Sequence, residues 1–312
     1  MYSLVIPVFK NEGSIPELLQ VCGDLDESLG GRLEVVFVVD GSPDRSAALL
    51  AEGLPGCPFQ SRMILLSRNF GAFAAIRAGL AEAQGPYFAG MAADLQEPPE
   101  LILAFFRALE ANEADLTLGT REQRDDPRLS RWASAVFWAL YRRFVQPAMP
   151  RGGVDVFGCN LAFRNRLLAL NEANSSLVGL LLWMGFRRKL IPYRRRERRH
   201  GRSAWTFARK LRYLMDSVFA FSDLPVRLLV FAGTLGLLFS AGLSLVVLVA
   251  RLSGLIAVPG YAATIVVISF FAALNALGLG IIGSYVWRAF ENTKARPQSI
   301  VMSRIDFDRK ED

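Results

Sequence analysis

The stretch Met91-Ala-Ala-Asp-Leu-Gln-Glu-Pro-Pro-Glu100 follows a short apolar segment, Tyr87 to Gly90, and brings several carboxylates into a turn. Its two prolines stop the preceding strand, because proline has no backbone N–H for a sheet. A strand that ends in Asp94, Gln96 and Glu97 places oxygen ligands at the carboxyl edge of a sheet, where open α/β sheets bind ligands. Such oxygens suit a hard cation like Mg2+. The alternative is an acidic turn that only caps the following helix.

Working outward, strand-like and helix-like segments alternate through the first half of the chain. Runs rich in β-branched and aromatic residues predict strands over Ser3 to Val8, Leu33 to Val39, Met63 to Leu66, Tyr87 to Gly90 and Leu116 to Gly119. Helices are predicted over Pro16 to Asp24, Ser46 to Glu52, Ala72 to Ala83 and Glu100 to Ala111, with Ser14 as the N-cap of the first. This alternation predicts an α/β fold with a doubly wound, mostly parallel sheet.

Two apolar stretches in the second half are long enough to cross a membrane. Neither Leu228 to Ala250 nor Tyr261 to Trp287 contains a charged residue, and about 20 apolar residues span the roughly 30 Å of bilayer hydrocarbon. The short connection, Arg251 to Gly260, predicts a transmembrane hairpin. Two helices buried in a protein core are the alternative. The mean hydropathy of +0.28 agrees with a membrane protein.

The distribution of basic residues predicts the orientation of this hairpin. Lys and Arg crowd positions 187–227 and recur at 288–296, whereas the connecting loop carries only Arg251. By the positive-inside rule, both termini and the preceding domain lie in the cytoplasm, at the inner membrane. No signal peptide is expected, since the chain opens on a strand. The net charge of +7 lies beside the membrane and indicates anionic lipids or a phosphate-bearing substrate rather than nucleic acid.

Cysteine and histidine usage excludes several kinds of site. Cys22, Cys57 and Cys159 are odd in number and lack metal-ligand spacing, which is typical of a reducing cytoplasm. The single histidine, His200, excludes histidine-based metal sites and a Ser-His-Asp triad.

The loops that follow the predicted strands share a chemical character. Acceptors for a nucleobase and a ribose occur at Asn11, Glu12, Asp40 and Asp44. Groups that suit a diphosphate and its cation occur at Arg68, Asp94 and Gln96. A nucleotide fits this set better than a small metabolite does. Taken singly, a loop such as Asp40-Gly-Ser would also serve as an ordinary turn.

Five strings carry a family resemblance in this order: Pro7-Val-Phe-Lys-Asn-Glu12, Val39-Asp-Gly-Ser-Pro-Asp44, Ser67-Arg-Asn-Phe-Gly71, Ala93-Asp-Leu-Gln-Glu-Pro-Pro-Glu100 and Gly119-Thr-Arg121. Together they resemble the family 2 glycosyltransferases of the GT-A fold. The Arg199-His-Gly-Arg-Ser203 segment, the hairpin and the tail from Gly283 to Pro297 extend the resemblance to the polyprenyl-phosphate glycosyltransferases, which are similar to dolichyl-phosphate mannosyltransferase.

The resemblance implies transfer of a sugar, with inversion, from a nucleotide sugar to polyprenyl phosphate. It implies Mg2+ or Mn2+ at Asp94 and Gln96, and a donor-phosphate or acceptor-phosphate contact at Arg121. Asp155 would position the acceptor or stabilise the oxocarbenium charge, with a general base as the weaker interpretation. The implied nucleotide-binding residues are Pro7, Asn11, Glu12, Asp40, Ser42 and Arg68. A uridine donor is favoured over guanosine, with undecaprenyl phosphate as the acceptor and a product used in cell-envelope glycans such as lipopolysaccharide.

The membrane-facing segments are expected to receive the lipid. Aromatic and basic residues are mixed over 128–144 and again from Trp205 to Phe221, as in helices that lie in the membrane interface. The acceptor phosphate is expected to meet Arg131, Arg199, Arg202 and Ser203. The predicted domains are a catalytic domain at 1–200, an amphipathic connector at 201–226, the hairpin at 227–290 and a cytoplasmic tail at 291–312. The resemblance also implies a homo-oligomer such as a tetramer.

Two departures from the family pattern leave alternatives open. The family has Asp-x-Asp where this chain has Ala92-Ala-Asp94, and a second Asp where it has Val39. Each change removes one carboxylate, so cation ligation could shift to Gln96 and Glu97. Another membrane glycolipid or polysaccharide acceptor, and a catalytically inactive membrane scaffold, are the alternative functions.

Reversal of one charge in the basic segment should weaken binding of the lipid acceptor. Arg202→Glu reverses a charge that is expected to meet the lipid phosphate, so the apparent KM for polyprenyl phosphate should rise by about tenfold or more, with a smaller change for the sugar donor. Steady-state kinetics with each substrate varied in turn measures both constants. A larger rise in the KM for the sugar donor would show that Arg202 does not belong to the acceptor site.

Overall fold

The computed structural model describes residues 1–121, 141–143, 146–150, 153–172, 175–196, 207–253 and 260–310. The strands within these ranges are β1 (Tyr2–Val8), β2 (Leu33–Val39), β3 (Gln60–Leu66), β4 (Tyr87–Gly90), β5 (Leu116–Arg121), β6 (Phe157–Asn160), β7 (Arg188–Tyr193) and β8 (Val301–Phe307). The helices are α1 (Ile15–Ser28), α2 (Ser46–Gly53), α3 (Ala72–Glu82), α4 (Pro99–Glu110), α5 (Leu161–Ala169), α6 (Leu177–Trp183), α7 (Phe207–Phe221), α8 (Leu224–Leu252) and α9 (Tyr261–Thr293).

The strands form one mixed sheet in the order β7-β5-β6-β4-β1-β2-β3-β8. Six strands run in one direction, because β4, β1, β2 and β3 pair in parallel and β5 pairs in parallel with β7. The antiparallel strands are β6, which lies between β4 and β5, and β8, which pairs with β3. The predicted mostly parallel sheet is therefore confirmed, and the carboxyl ends of six strands share one edge.

Helices cover both faces of the sheet, as the predicted doubly wound fold requires. Alternate side chains of β1 and β2 point to opposite faces: Leu4 and Phe37 pack with α1, α2 and α4, whereas Val5 and Val38 pack with α3 and α5. Every residue of β2 is buried, which confirms the interpretation of its unbroken apolar run. The helix α3 approaches most closely at Gly79, where any side chain would overlap Val5.

The predicted N-cap of the first helix is confirmed in position but not in its hydrogen bond. Ser14 stands at the N-cap position of α1, but its side chain makes no capping hydrogen bond. The buried hydroxyl instead donates to the carbonyl oxygens of Asn11, at 3.0 Å, and Ala93, at 2.8 Å. Ser14 therefore ties the start of α1 to the acidic loop after β4.

The two long apolar helices, α8 and α9, have the length and composition to cross a membrane. Candidate spans cover Leu224–Leu243 and Phe270–Thr293, and only 6% of each span's most apolar window is buried. Large apolar side chains such as Phe231 and Leu238 are more than 60% exposed. Helices in the core of a soluble protein bury such side chains. The two helices contact one another where Gly236 meets Phe271 and Gly278 meets Leu229.

The predicted amphipathic connector corresponds to α7, which ends at Phe221 as the sequence predicts. Its Asp216 accepts a hydrogen bond from Arg288 of α9 at 2.8 Å, and its Phe219 contacts the ring of Tyr285. Of the other predicted interfacial helix, over 128–144, only residues 141–143 are described, and they are helical. The rest of that prediction lies outside the described residues.

After α9 the chain returns to the sheet, where the sequence predicts a cytoplasmic tail. The predicted tail contains β8, which pairs with β3 from Ser61↔Phe307 to Leu66↔Val301. Ion pairs join Asp306 to Arg62 and Arg304 to Glu82, and the amide of Ser67 donates to the carbonyl of Ile300 at 3.0 Å. Both ends of the apolar hairpin are thus connected to the same domain.

Removal of β8 should destabilise that domain. A chain ended after Gln298 loses the strand pairing and both ion pairs and leaves β3 as an unpaired edge, so we expect the melting temperature to fall by about 5 °C or more. Circular dichroism of detergent-solubilised protein measures it. A chain ended after Phe307, which keeps β8, is the control, and equal melting temperatures for the two would show that the strand adds no stability.

Candidate active site

The candidate site lies along the edge where the parallel strands end. The loops after β1, β2, β3, β4 and β7 all emerge there. Because β6 runs in the opposite direction, its amino end reaches the same edge and brings Asp155 with it. Residues from six separate parts of the sequence therefore meet at one edge, as the doubly wound fold predicts.

The loops after β1 and β2 are joined by hydrogen bonds. The amide of Lys10 donates to Ser42 Oγ at 2.8 Å, the amide of Glu12 donates to Asp44 at 3.1 Å, and the amide of Arg45 donates to Glu12 at 3.1 Å. Burial acts to raise the pKa of Asp44, but hydrogen bonds from Ser42 and Ser46 outweigh it and hold this pKa below its usual value. The two loops thus form one acidic surface.

Two other predicted nucleotide-binding residues lie in β1 and in the loop that follows it. Pro7 lies in β1 and pairs with Val38. Asn11 accepts the amide of Phe9 at 3.0 Å through its side chain, and its own amide donates to Ser46 Oγ at 3.1 Å. With Glu12 and Ser42, these residues are brought together as predicted. Their contact with a nucleotide stays a prediction.

Asp40 has a structural task that the sequence did not reveal. Its carboxylate is 2% exposed and accepts hydrogen bonds from Phe70 N at 2.7 Å, Gly71 N at 2.8 Å and Asn69 Nδ2 at 3.0 Å. Asp40 therefore holds the loop 67–71 beside its own strand. A direct contact between Asp40 and the nucleoside stays a prediction.

The loop held by Asp40 carries Arg68. Its guanidinium lies 4.1 Å from the centre of the Phe70 ring and remains near the site edge. Gly41 allows the close approach of the two loops, because its φ of 58° suits glycine and a side chain there would overlap the backbone of Arg68. Arg68 is thus placed at the edge where its predicted diphosphate contact would occur.

The acidic loop after β4 is tightly turned. Leu95 adopts a positive φ of 54°, and Asp94 Oδ1 accepts the amide of Gln96 at 3.3 Å. Glu97 is 2% exposed and accepts the amide of Ala92 at 3.3 Å. Burial, followed by the charge of Asp94, raises the pKa of Glu97 to about 7.

Gln96 joins this loop to the segment after β7. Its side-chain oxygen accepts a hydrogen bond from Arg195, its amide nitrogen donates to the carbonyl of Arg196 at 3.2 Å, and its backbone carbonyl accepts the amide of Arg196 at 2.9 Å. Glu100 adds an ion pair to Arg196 at 3.6 Å. The predicted cation contact of Gln96 stays a prediction, since in this structure its oxygen faces Arg195.

Asp155 lies in a cluster with Arg121 and Tyr193. Arg121 donates two hydrogen bonds to the carboxylate, one of them from Nη2 to Oδ1 at 2.8 Å. The hydroxyl of Tyr193 donates to Oδ2 at 2.8 Å. Burial, and then the charge of Asp155, raises the pKa of Tyr193. Asp155 and Arg121 are brought together as neighbouring site residues.

Sequence reasoning missed Tyr193. The available signal was its position at the end of β7, directly before the basic run that opens with Arg194. The predicted acceptor residues Arg131, Arg199, Arg202 and Ser203 lie outside the described residues. Arg195 and Arg196, from the start of the basic run, do lie at the site edge.

The residues present fit a divalent cation that is shared with a nucleotide. Within the described ranges, no three His, Cys, Asp or Glu side chains gather as a metal site. Mg2+, however, is commonly held by one or two carboxylates together with substrate phosphates. Asp94 supplies a carboxylate of this kind, and Gln96 and Glu97 offer further hard oxygen ligands on the same loop.

A mostly parallel sheet with this acidic loop and an Arg-Asp-Tyr cluster at its carboxyl edge defines a glycosyltransferase of the GT-A fold. The chain belongs to glycosyl transferase family 2, because the model described as "Glycosyl transferase family 2" matches residues 3–169. The fold and the glycosyltransferase family that the sequence predicts are therefore confirmed.

Curated relatives match almost the whole chain. The undecaprenyl-phosphate 4-deoxy-4-formamido-L-arabinose transferase of Pseudomonas paraeruginosa (strain DSM 24068 / PA7) is 33% identical over 309 residues, 96% of this chain and 89% of the relative. The enzyme of the same name from Salmonella paratyphi B (strain ATCC BAA-1250 / SPB7) is 32% identical over 311 residues, 97% of this chain and 93% of the relative.

A solved structure agrees with the fold. Glucosyl-3-phosphoglycerate synthase from Mycobacterium tuberculosis, in complex with uridine diphosphate, superimposes with a TM-score of 0.50 at 18% identity, over 70% of this chain and 79% of that one. At this identity the similarity concerns the fold alone.

Glu97 generates a prediction about pH. Its pKa of about 7 lies above its usual 4.5, so between these values the folded protein keeps a proton that the unfolded chain releases. The free energy of unfolding therefore falls as pH rises from about 4.5 to about 7. In chelator, Glu97→Gln should gain stability relative to the unaltered protein between about pH 5 and about pH 8. Urea denaturation at both pH values tests this, and a constant difference would contradict it.

Proposed function

We propose that this protein transfers a sugar from a nucleotide sugar to polyprenyl phosphate at the cytoplasmic face of a membrane. The observation that carries the proposal is the 33% identity to an undecaprenyl-phosphate sugar transferase, which extends over 96% of this chain. A match of this length includes the two apolar helices as well as the catalytic domain. A family 2 transferase that acts on a soluble acceptor has no need of such helices.

The proposed reaction is a single displacement. An oxygen of the lipid phosphate forms a bond to the anomeric carbon, the bond from that carbon to the diphosphate breaks, and its electron pair leaves with the nucleoside diphosphate. One displacement of this kind inverts the anomeric configuration. The lipid phosphate is already mostly ionised near neutral pH, since its second pKa is about 6, so the acceptor needs little help from a base.

Asp155 suits electrostatic stabilisation better than proton abstraction. Both of its oxygens already accept hydrogen bonds, from Arg121 and Tyr193. A carboxylate engaged in this way is held in place as an acceptor, so we assign it to the positive charge that develops on the sugar ring. Arg121 fixes its orientation.

The acidic loop is assigned to the leaving group. A bound Mg2+ or Mn2+ would neutralise negative charge on the departing diphosphate. Asp94 would hold this cation with oxygens of the same loop. Arg68, on the loop held by Asp40, would contact the diphosphate. We propose a uridine donor in preference to a guanosine donor, as the sequence resemblance implies.

The lipid acceptor would approach along the junction between the domain and the hairpin. A groove of about 640 Å³ lies there, lined by Trp183 of α6, Phe221 of α7, Val226 of α8 and Tyr285 of α9. Ser222 and Asp223 also line it, and its apolar and aromatic side chains suit a hydrocarbon chain whose phosphate remains at the membrane surface. We propose that the isoprenoid chain lies in this groove while the phosphate meets the basic segment.

The orientation in the membrane is supported by two observations. Lys and Arg crowd the outer ends of the hairpin, and β8 returns to the sheet that carries the site. If the hairpin spans the bilayer, both of its outer ends must then lie on the side of the catalytic domain. The positive-inside rule makes that side the cytoplasm.

Release of nucleoside diphosphate tests the proposed function. Purified protein in detergent is given a panel of uridine and guanosine nucleotide sugars, with and without polyprenyl phosphate, in Mg2+, Mn2+ or chelator. We expect release from one donor that requires both the lipid phosphate and the cation. Asp94→Asn should lower the rate by about a hundredfold or more, because it removes a charge that acts at the leaving group, while leaving the circular dichroism spectrum unchanged.

Other outcomes would support the alternatives. Release that ignores polyprenyl phosphate but requires a glycolipid or polysaccharide would assign another acceptor. Silence with every donor and no nucleotide binding would favour the scaffold, with Ala92 and Val39 as marks of a lost active site. Full activity of the Asp94→Asn variant would remove the acidic loop from the reaction.

A further inference from the structure

The acidic loop lacks one carboxylate of the family pattern, because Ala92 stands where the first Asp of Asp-x-Asp is expected. Asp94 alone remains from that pair. A cation held by one carboxylate, one amide and a diphosphate would be bound more weakly than by two carboxylates, since ligand charge sets affinity for hard cations. Another carboxylate that lies close to residue 92 could replace the one that is absent.

Glu97 reaches that place. Its carboxylate accepts the backbone amide of Ala92 at 3.3 Å. It therefore lies beside the residue that stands in place of the first Asp of the family pattern. The turn at Leu95, with its φ of 54°, folds the loop back and makes this approach possible. The two prolines that follow Glu97 stiffen the chain at its carboxyl side. The position of the carboxylate is therefore defined by the loop.

The surroundings of Glu97 favour a role beyond packing. The side chain is 2% exposed, and within the described residues it accepts one hydrogen bond, the one from Ala92. The charges that act on it are the carboxylates of Asp94 and Asp155 and the guanidinium of Arg195. Neighbouring carboxylates on one loop repel, and a divalent cation held between them would remove that repulsion.

We propose that Glu97 supplies the carboxylate that Ala92 lacks, and that Glu97 and Asp94 together hold the divalent cation against the donor diphosphate. The inference rests on the proposed function, because the diphosphate completes this site. In the family pattern the two carboxylates are the aspartates of Asp-x-Asp, two residues apart. In this chain they would be Asp94 and Glu97, three residues apart on a folded-back turn.

The rival interpretation is that Glu97 only holds the loop through the amide of Ala92. Glu97→Gln separates the two interpretations, because glutamine keeps the size of the side chain and an oxygen that can accept the same amide. The charge is the main thing that the substitution removes. A structural role should survive it, whereas a cation ligand should not.

The experiment measures Mn2+ binding by full-length protein in detergent, with saturating uridine diphosphate or guanosine diphosphate, from the electron paramagnetic resonance signal of free Mn2+. We expect the unaltered protein to bind Mn2+ and Glu97→Gln to bind it at least about tenfold more weakly. Glu100→Gln is the matched control, since Glu100 is a neighbouring acid with an exposed side chain, and it should bind Mn2+ as the unaltered protein does.

A second variant tests the replacement directly. Ala92→Asp in the Glu97→Gln background restores the carboxylate at its family position, and we expect it to recover most of the lost Mn2+ affinity. Unchanged affinity in Glu97→Gln would overturn the proposal. So would a loss that Ala92→Asp fails to recover, or the absence of Mn2+ binding by the unaltered protein with both nucleotides.

The outcome is distinguishable from failure of the proposed function. If the unaltered protein binds Mn2+ with a nucleoside diphosphate, and the variants behave as expected, Glu97 is a cation ligand whether or not polyprenyl phosphate is the acceptor. If polyprenyl phosphate then fails to stimulate release of nucleoside diphosphate, only the acceptor assignment falls.

Discussion

The carboxylate of Asp40 is the interaction on which much of the site depends. It is buried at the end of β2, and three donors from the loop after β3 converge on it. A buried carboxylate is stable only when donors surround it, so the loop cannot move away without leaving a charge unpaired. The same loop precedes α3, which packs on β1 and β2, and its Ser67 meets the residue before β8. The buried carboxylate of Asp40 thus fixes the loop 67–71, the helix α3 and the strand β8 relative to one another.

A second connection joins the two chemical halves of the site. Gln96 belongs to the acidic loop, yet both ends of its side-chain amide bond to residues that follow β7. Tyr193, at the end of β7, holds Asp155. The loop assigned to the leaving diphosphate and the carboxylate assigned to the sugar are therefore tied to one short segment, which continues into the basic run. A displacement of that segment would move both the acidic loop and Asp155.

The sequence predicted most of what depends on local pattern. The unbroken apolar run of β2, the helix after the two prolines and the placement of Asp40 and Asp94 at strand ends follow from periodicity and turn chemistry. What it missed depends on distant residues. The strand β8 pairs with a partner more than 200 residues earlier, and its half-exposed, mixed sequence carries little strand signal. The contact of Tyr193 with Asp155 depends on sheet order, because β7 lies beside β5 rather than beside β6. Asp40 holds the loop 67–71 because it is buried, and a single sequence does not show whether a residue at a turn is buried.

The return of the chain to the sheet through β8 has a kinetic consequence. Seven residues separate the end of α9 from the start of β8, and a chain of this length reaches at most about 25 to 30 Å. On the proposed placement of the hairpin in a membrane, the candidate-site edge is tethered at two points, through α7 and through this linker, and stays near the bilayer. On the proposed placement, the enzyme meets its lipid by diffusion within a surface layer, where the local concentration depends on lipid density in the membrane rather than on the volume of the cell. The donor alone must be found by diffusion in three dimensions.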